Sequence, residues 1–177
     1  MNEDQTCGIW AKKDICLVPL ERIEVLPLYY RETIPADYLD AMGHMNVRWY
    51  MALFDTAIWQ FFKSYGLDQS YFTKENSGVF ALKHFIHYFA EVKVGETVGL
   101  RIRLIGRSDK RFQFMAFMIN ESTGKLASTL EVLATHADLT VRQASPLAPV
   151  IAQKFDEKLA EDHALDWEAP LSGAIKL

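Results

Sequence analysis

Cysteine is nearly absent: Cys7 and Cys16 are the only two in 177 residues, and both precede residue 20. Their pairing is left open, with two reduced thiols as the default in a cytosolic chain. No histidine stands beside them at zinc-finger spacing, and no cluster elsewhere has the ligand count of a metal site, so no metal is expected. Long hydrophobic runs are missing too. Nothing approaches the ~20 consecutive apolar residues of a membrane-spanning helix. The opening residues Met1-Asn2-Glu3-Asp4-Gln5 are acidic, and no secretory pattern follows them. A cytoplasmic location without membrane contact is the expectation. Positive charge is also short. The net charge is −4 without a basic block, which argues against a nucleic-acid partner. Internal repeats and low-complexity segments are lacking as well.

What remains is a chain rich in core-forming residues. Half of it is hydrophobic and 12% is aromatic, enough for one domain with a substantial core. Residues 1–26 carry no clear period and read as an irregular arm with one short helix or strand. Tyr29 to Ile34 alternates between Pro27 and Pro35, which predicts a strand. From Asn46 to Tyr65 the pattern is helical. Arg48, Asp55, Thr56, Gln60, Lys63 and Ser64 occupy about half the circumference. The other half carries Val47, Tyr50, Met51, Leu53, Phe54, Ala57, Ile58, Phe61, Phe62 and Tyr65. So wide an apolar face implies a helix largely wrapped by a sheet. Asn46 suits the N-cap and Gly66 the C′ position.

Residues 67–77 read as a loop, after which the period becomes two. Strands are predicted over Val79–Ala90, Thr97–Arg107, Arg111–Asn120 and Leu126–Thr140, separated by the turns Val94-Gly95-Glu96, Ser108-Asp109-Lys110 and Ser122-Thr123-Gly124. Val98, Leu100, Ile102 and Leu104 share one face of the second of these, and Arg101, Arg103 and Arg107 the other. One strand, one long helix and four antiparallel strands make an α+β plan, with a single sheet curled around one helix. The tail predicts an amphipathic helix over Val150–His163, in which Ile151, Phe155 and Leu159 recur every four residues, with Trp167 as a further anchor. The expected organisation is an N-terminal extension (1–27), one domain (28–149) and a C-terminal helix and tail (150–177).

The most informative residues are Asp40-Ala41-Met42-Gly43-His44-Met45-Asn46, between the first strand and the long helix. A junction of this kind leaves the first N–H groups of the helix unpaired, at its partly positive end. Gly43 lets the backbone approach a bound group or take a positive φ. Asp40 adds a carboxylate a few residues upstream. Backbone amides that stabilise an oxyanion, beside a carboxylate nucleophile or base, suit acyl transfer.

The run Ile34-Pro35-Ala36-Asp37-Tyr38-Leu39-Asp40, then Gly43-His44-Met45-Asn46, then Tyr50 and Phe54, resembles the hotdog-fold thioesterases of the 4-hydroxybenzoyl-CoA thioesterase type. Those proteins carry Asp-x-x-Gly-His-x-Asn at this junction with a Tyr four residues later. Within them it is most similar to the carnitine- and betaine-associated branch, although Tyr38 stands where that branch often has Trp, and Ala41-Met42 where it often has Tyr-Asn. The likeness runs from about Tyr29 to Pro149. It implies a hotdog fold and a cofactor-free hydrolysis of a small or medium acyl-CoA thioester. Asp40, Gly43 and His44 would be catalytic: Asp40 as nucleophile or general base, Gly43 and His44 through their amides. The alternatives are a non-catalytic acyl-CoA-binding module of the same fold and, more weakly, a hotdog dehydratase or hydratase.

Further site candidates follow. Asn46 would cap the helix and touch water or substrate, and Tyr50 sits one turn further on the same side. His84 and His87 lie three apart in a strand, hence on opposite faces, which opposes joint metal binding. Either of them is a candidate to line the pocket with Tyr88, against the commoner reading of a satisfied sheet histidine, and His87 with Tyr88 is taken as the lining. Arg107, Lys110 and Arg111 bracket a hairpin turn and are candidates for the coenzyme A phosphates, as the resemblance implies. A long apolar strand at 79–90, an exposed apolar outer sheet surface and free edges predict a homodimer or tetramer with each pocket built from two chains.

Overall fold

The computed structural model describes residues 18–177, so Cys7 and Cys16 lie outside the described residues. The elements run α1 (Leu20–Ile23), β1 (Leu28–Thr33), α2 (Val47–Ser64), α3 (Gln69–Glu75), β2 (Ser77–Tyr88), β3 (Thr97–Arg107), β4 (Arg111–Asn120), β5 (Lys125–Asp138), β6 (Gln143–Ala144) and α4 (Pro149–His163). One antiparallel sheet has the order β1-β3-β4-β5-β2, with β6 added to β5. It curls around α2 in the hotdog arrangement, as the α+β pattern predicts.

Concave-face residues explain the curl. Leu100, Ile102 and Leu104 of β3, Phe112, Phe114, Ala116 and Met118 of β4, and Leu130, Val132 and Ala134 of β5 form one buried cluster with Tyr50, Leu53, Phe54, Ala57, Phe61 and Phe62 of α2. The side chain of Asn46 accepts from the Arg48 amide and caps the helix. Gly66, at φ +91°, follows its C-terminus in the left-handed region. At that end Phe155 of α4 packs on Phe61, Phe62 and Phe112, so α4 closes the core.

Two expectations need correction. Residues 69–75 form a helix rather than loop. Asp68 caps it through the Tyr71 amide, and seven residues are too few to display a period. The outer sheet surface is not left bare, either. Met115, Phe117, Ile119 and Leu126 on the convex face are buried together with Ile23 and Leu26 from the N-terminal segment and Trp167 from the tail. Residues 18–26 and the C-terminal tail are laid over the back of the sheet and tied together there by Arg22, which donates to the Asp166 carbonyl at 3.1 Å.

The tail is secured by a polar knot. Arg103 lies 4.3 Å from the Trp167 ring centre and donates to the carbonyls of Trp167 and Asp162. Asp162 accepts from the Leu104 amide at 2.7 Å and from Lys158 at 2.6 Å. Lys158 and Asp162 are only 3% and 2% exposed, so the pair offsets the desolvation of both charges, with the Leu104 amide adding to it for Asp162. Asp162→Ala strands an ammonium and a backbone N–H, and should lower unfolding free energy by about 3–5 kcal/mol. The double change Lys158→Met with Asp162→Asn should cost clearly less. Urea denaturation of the three proteins checks both.

Candidate active site

Residues Leu39–Asn46 form a tight loop whose shape follows from a few hydrogen bonds. Leu39 and Met45 make an isolated antiparallel bridge. Inside it the Asp40 amide donates to the His44 carbonyl at 3.0 Å, and the Gly43 amide to the Asp40 carbonyl at 3.1 Å. Gly43 takes φ +82° to close the turn, a conformation costly for any residue with a Cβ. Met45 and Asn46 then anchor the loop by donating to the carbonyls of Val92 and Tyr38. The chain enters α2 directly afterwards.

This geometry orients the carboxylate. Oδ1 of Asp40 accepts from the Met42 amide at 2.8 Å, while Oδ2 lies 3.5 Å from His44 Nδ1. One oxygen is fixed and the other faces an imidazole, with the Asp40 and His44 side chains 18% and 26% accessible. The two amides proposed from sequence as oxyanion donors divide here. The Gly43 N–H is engaged by the Asp40 carbonyl, whereas the His44 N–H has no partner among the described residues, nor does that of Val47 at the first position of α2.

Tyr50, one turn into α2, donates to the Ala90 carbonyl at 3.4 Å and meets Tyr88 edge to face at 5.1 Å. Burial is the main reason that its hydroxyl is pushed up to about 12, so it works as a neutral donor. Tyr88 thus belongs to the face that covers α2. His87 does not. Its ring lies against Phe85 and Phe89, and Phe89 is part of the buried cluster on the convex side, so in one chain His87 and Tyr88 cannot line the same pocket.

His84 takes that position instead, because a register shift between Ala81 and Lys83 moves β2 by one residue. With Asp55 it lines a cavity of about 80 Å³ between α2 and β2, otherwise walled by apolar side chains such as Met51, Trp59, Phe62 and Val132. Burial holds His84 below the ordinary histidine value, opposed by the nearby Asp55 charge. Sequence patterning could not reveal this pair, since the bulge that aligns His84 leaves no mark on a period of two.

The basic hairpin lies elsewhere. Arg107, Lys110 and Arg111 are at the far end of the eleven-residue β3 from the Asp40 loop, up to roughly 33 Å away at ~3.3 Å per residue. Arg107 is bound there by both oxygens of Asp156, whose acidity this pairing increases. Within one chain the structure does not bring this cluster to Asp40. Among the described residues no helix is long and apolar enough to cross a membrane, and no group of three or more His, Cys, Asp or Glu could hold a metal.

A carboxylate with one free oxygen, an unpartnered amide and a helix start converge on the loop. Residues 34–155, which contain all of it, match the thioesterase-like superfamily. The chain belongs to that superfamily. It is 25% identical over 140 residues to a betainyl-CoA thioesterase of Pseudomonas aeruginosa, covering 79% of this chain and 87% of that one. It is 24% identical over 131 residues, 74% of its length, to an L-carnitine dehydrogenase/betainyl-CoA thioesterase of Rhizobium meliloti, of which it spans 26%. Among solved structures, a Staphylococcus aureus protein in complex with CoA superimposes with a TM-score of 0.77 at 20% identity, covering 86% of this chain and 96% of that one. A DHNA-CoA thioesterase from the same species gives 0.70 at 15% identity, covering 80% and 97%. These likenesses establish the hotdog fold.

Proposed function

We propose that this chain is an acyl-CoA thioesterase, releasing a free acid and coenzyme A from a small or medium acyl thioester and water. The observation that carries the reading is the Asp40 carboxylate, anchored through Oδ1 and facing the His44 ring through Oδ2, in the same loop as the unpartnered His44 amide. A thioester carbonyl placed there puts its developing oxyanion on that amide and the start of α2. Oδ2 then either attacks the carbonyl carbon or takes a proton from the attacking water, and His44 Nδ1 steadies the carboxylate. No cofactor is needed for either route. The named relatives support this class of substrate. A pure acyl-CoA binder would have no use for a carboxylate beside an oxyanion site.

Asp40→Asn keeps shape and removes both nucleophile and base. It should lower kcat by at least ~100-fold with the fold intact, read by thiol release against a panel of acyl-CoAs. Turnover near wild type would refute the assignment. Binding of every acyl-CoA without thiol release by the native protein would favour the non-catalytic module.

The working form we propose is a dimer. β2 is an edge strand of twelve residues with Phe80 and Leu82 nearly half exposed and Phe85 and Tyr88 close behind. An apolar edge of this length is satisfied by a second copy across a two-fold axis, which continues the sheet. The cavity beside β2 would then open toward the partner. Light scattering at micromolar concentration should give twice the chain mass, and a monomer would contradict the pairing.

For the acyl group, the cavity beside β2 supports a cation across the dimer, since Asp55 stands about 12 Å along α2 from Val47, out of reach of a short acyl group held at the same chain's His44 amide. The Asp55 carboxylate and the rings of Trp59 and Phe62 share it with a histidine kept neutral near pH 7. Aromatic faces hold a quaternary ammonium at ~0.5–2 kcal/mol each. Betainyl-CoA should therefore surpass an uncharged acyl-CoA of equal size in kcat/KM. Asp55→Asn should remove about tenfold of that preference, or ~1.4 kcal/mol. Because the fold depresses His84, the preference should hold at pH 6.5 and above and fade only as His84 gains its proton below 6.5. A wild-type ratio near one would mean that no cation site exists.

A further inference from the structure

The cavity between α2 and β2 has a neighbour. Beyond the ring of Trp59 a groove of about 390 Å³ lies between the end of α2 and the start of α3, floored by Leu67 and Phe72 and rimmed by Lys63, Gln69 and Ser70. Trp59 is the residue common to the two linings. Its ring meets Phe62, a wall of the inner cavity, at 6.2 Å and 75°. It meets Phe72, the floor of the outer groove, at 5.9 Å and 88°. Two edge-to-face contacts thus fix one indole between the two spaces.

Core packing does not account for a tryptophan at this position. Asp55 stands one turn before it on α2 and Lys63 one turn after, both exposed, so Trp59 belongs to a polar stripe of the helix. It remains 44% exposed, whereas its neighbours Phe61 and Phe62 are buried. What the ring does accomplish is separation. The inner cavity, about 80 Å³ and mostly apolar, ends at the indole. The groove beyond it has exposed polar side chains at its rim and an apolar floor that a hydrocarbon chain could follow.

We propose that Trp59 is the end wall of the acyl cavity and sets the longest acyl chain that the protein accepts. The proposal rests on the thioesterase reading and on the dimer, in which the acyl group of a thioester held by the other copy's Asp40 loop enters this cavity. Trp59 meets the far end of the acyl group and no reacting atom. Its effect therefore varies with chain length instead of scaling every turnover alike. Removing the indole joins the cavity to the groove and gives longer chains a path over Leu67 and Phe72.

The test follows thiol release by the full chain on straight-chain acyl-CoAs from butanoyl to myristoyl. Wild-type kcat/KM should fall about tenfold or more at one step of the series, where the chain outgrows the inner cavity. Trp59→Ala should move that step to longer chains and raise kcat/KM for the first excluded substrate ~tenfold or more, since each newly buried methylene is worth roughly fourfold. The shortest members lose the ring as a contact and should be hydrolysed no faster than by wild type, so the two profiles cross. Trp59→Val, which keeps an apolar side chain against Phe62 and Phe72, should shift the step less, and it carries the test if Trp59→Ala does not fold. A uniform loss across the series with the step unmoved would make Trp59 a support of the fold alone, overturning the end wall and leaving the thioesterase intact. A wild-type profile without a step overturns the wall as well. Wild-type protein that releases thiol from no acyl-CoA overturns both.

Discussion

The structure depends on the burial of α2. An eighteen-residue helix carrying Tyr50, Leu53, Phe54, Ala57, Phe61 and Phe62 on one side cannot be left in water. At ~25 cal/mol per Å² of apolar surface, each large side chain contributes about 1.5–3 kcal/mol when buried. A flat sheet would cover only a stripe of it. The strands must curl, and the register shifts between Leu28 and Tyr30, Ala81 and Lys83, and Leu104 and Gly106 are where the ladder gives way to let them. The same burial fixes the helix start in space, which is why a seven-residue loop ending there can hold a carboxylate and an open amide in constant relation.

The site is held by its surroundings more than by its own bonds. The loop of Asp40 is tied outward to Tyr38 and Val92, and Tyr38 is stacked on Trp49 of the helix. Strand end, helix start and the turn before β3 thus share one set of contacts. On the other side of the sheet the segment 18–26 and the tail supply a second apolar layer, so β3, β4 and β5 are buried on both faces despite being antiparallel. That leaves β2 as the long strand whose edge and side chains remain uncovered.

Much of this was legible in the sequence, and for identifiable reasons. The wide apolar face of residues 46–65 announced a wrapped helix, Asn46 and Gly66 marked its ends, and the alternation of Val98, Leu100, Ile102 and Leu104 gave the concave face of β3. The Asp40–Asn46 loop could be read because its spacing is local. What could not be read is what depends on contacts distant in sequence. The pattern places Arg103 only on the face opposite Leu100 and Ile102, yet it is buried beneath Trp167, 64 positions later. Arg107 looked available until Asp156 came across from α4. Whether the Gly43 or the His44 amide is open turns on one carbonyl 3.1 Å away, below anything a motif encodes.

The bulge in β2 acts on the cavity much as a frameshift acts on a message. Upstream of Leu82 the inward positions are Val79 and Ala81, and downstream they are His84 and Tyr88. Loss or gain of a single residue beyond the bulge, with the bulge itself kept, would turn Phe85 and His87 inward and carry His84 and Tyr88 to the back. The Asp40 loop, which comes earlier in the chain, would keep its geometry while facing a chamber of different chemistry. A strand built this way lets the lining of the cavity change without disturbing the Asp40 loop. One small deletion or insertion is then a short evolutionary route from one cavity lining to another.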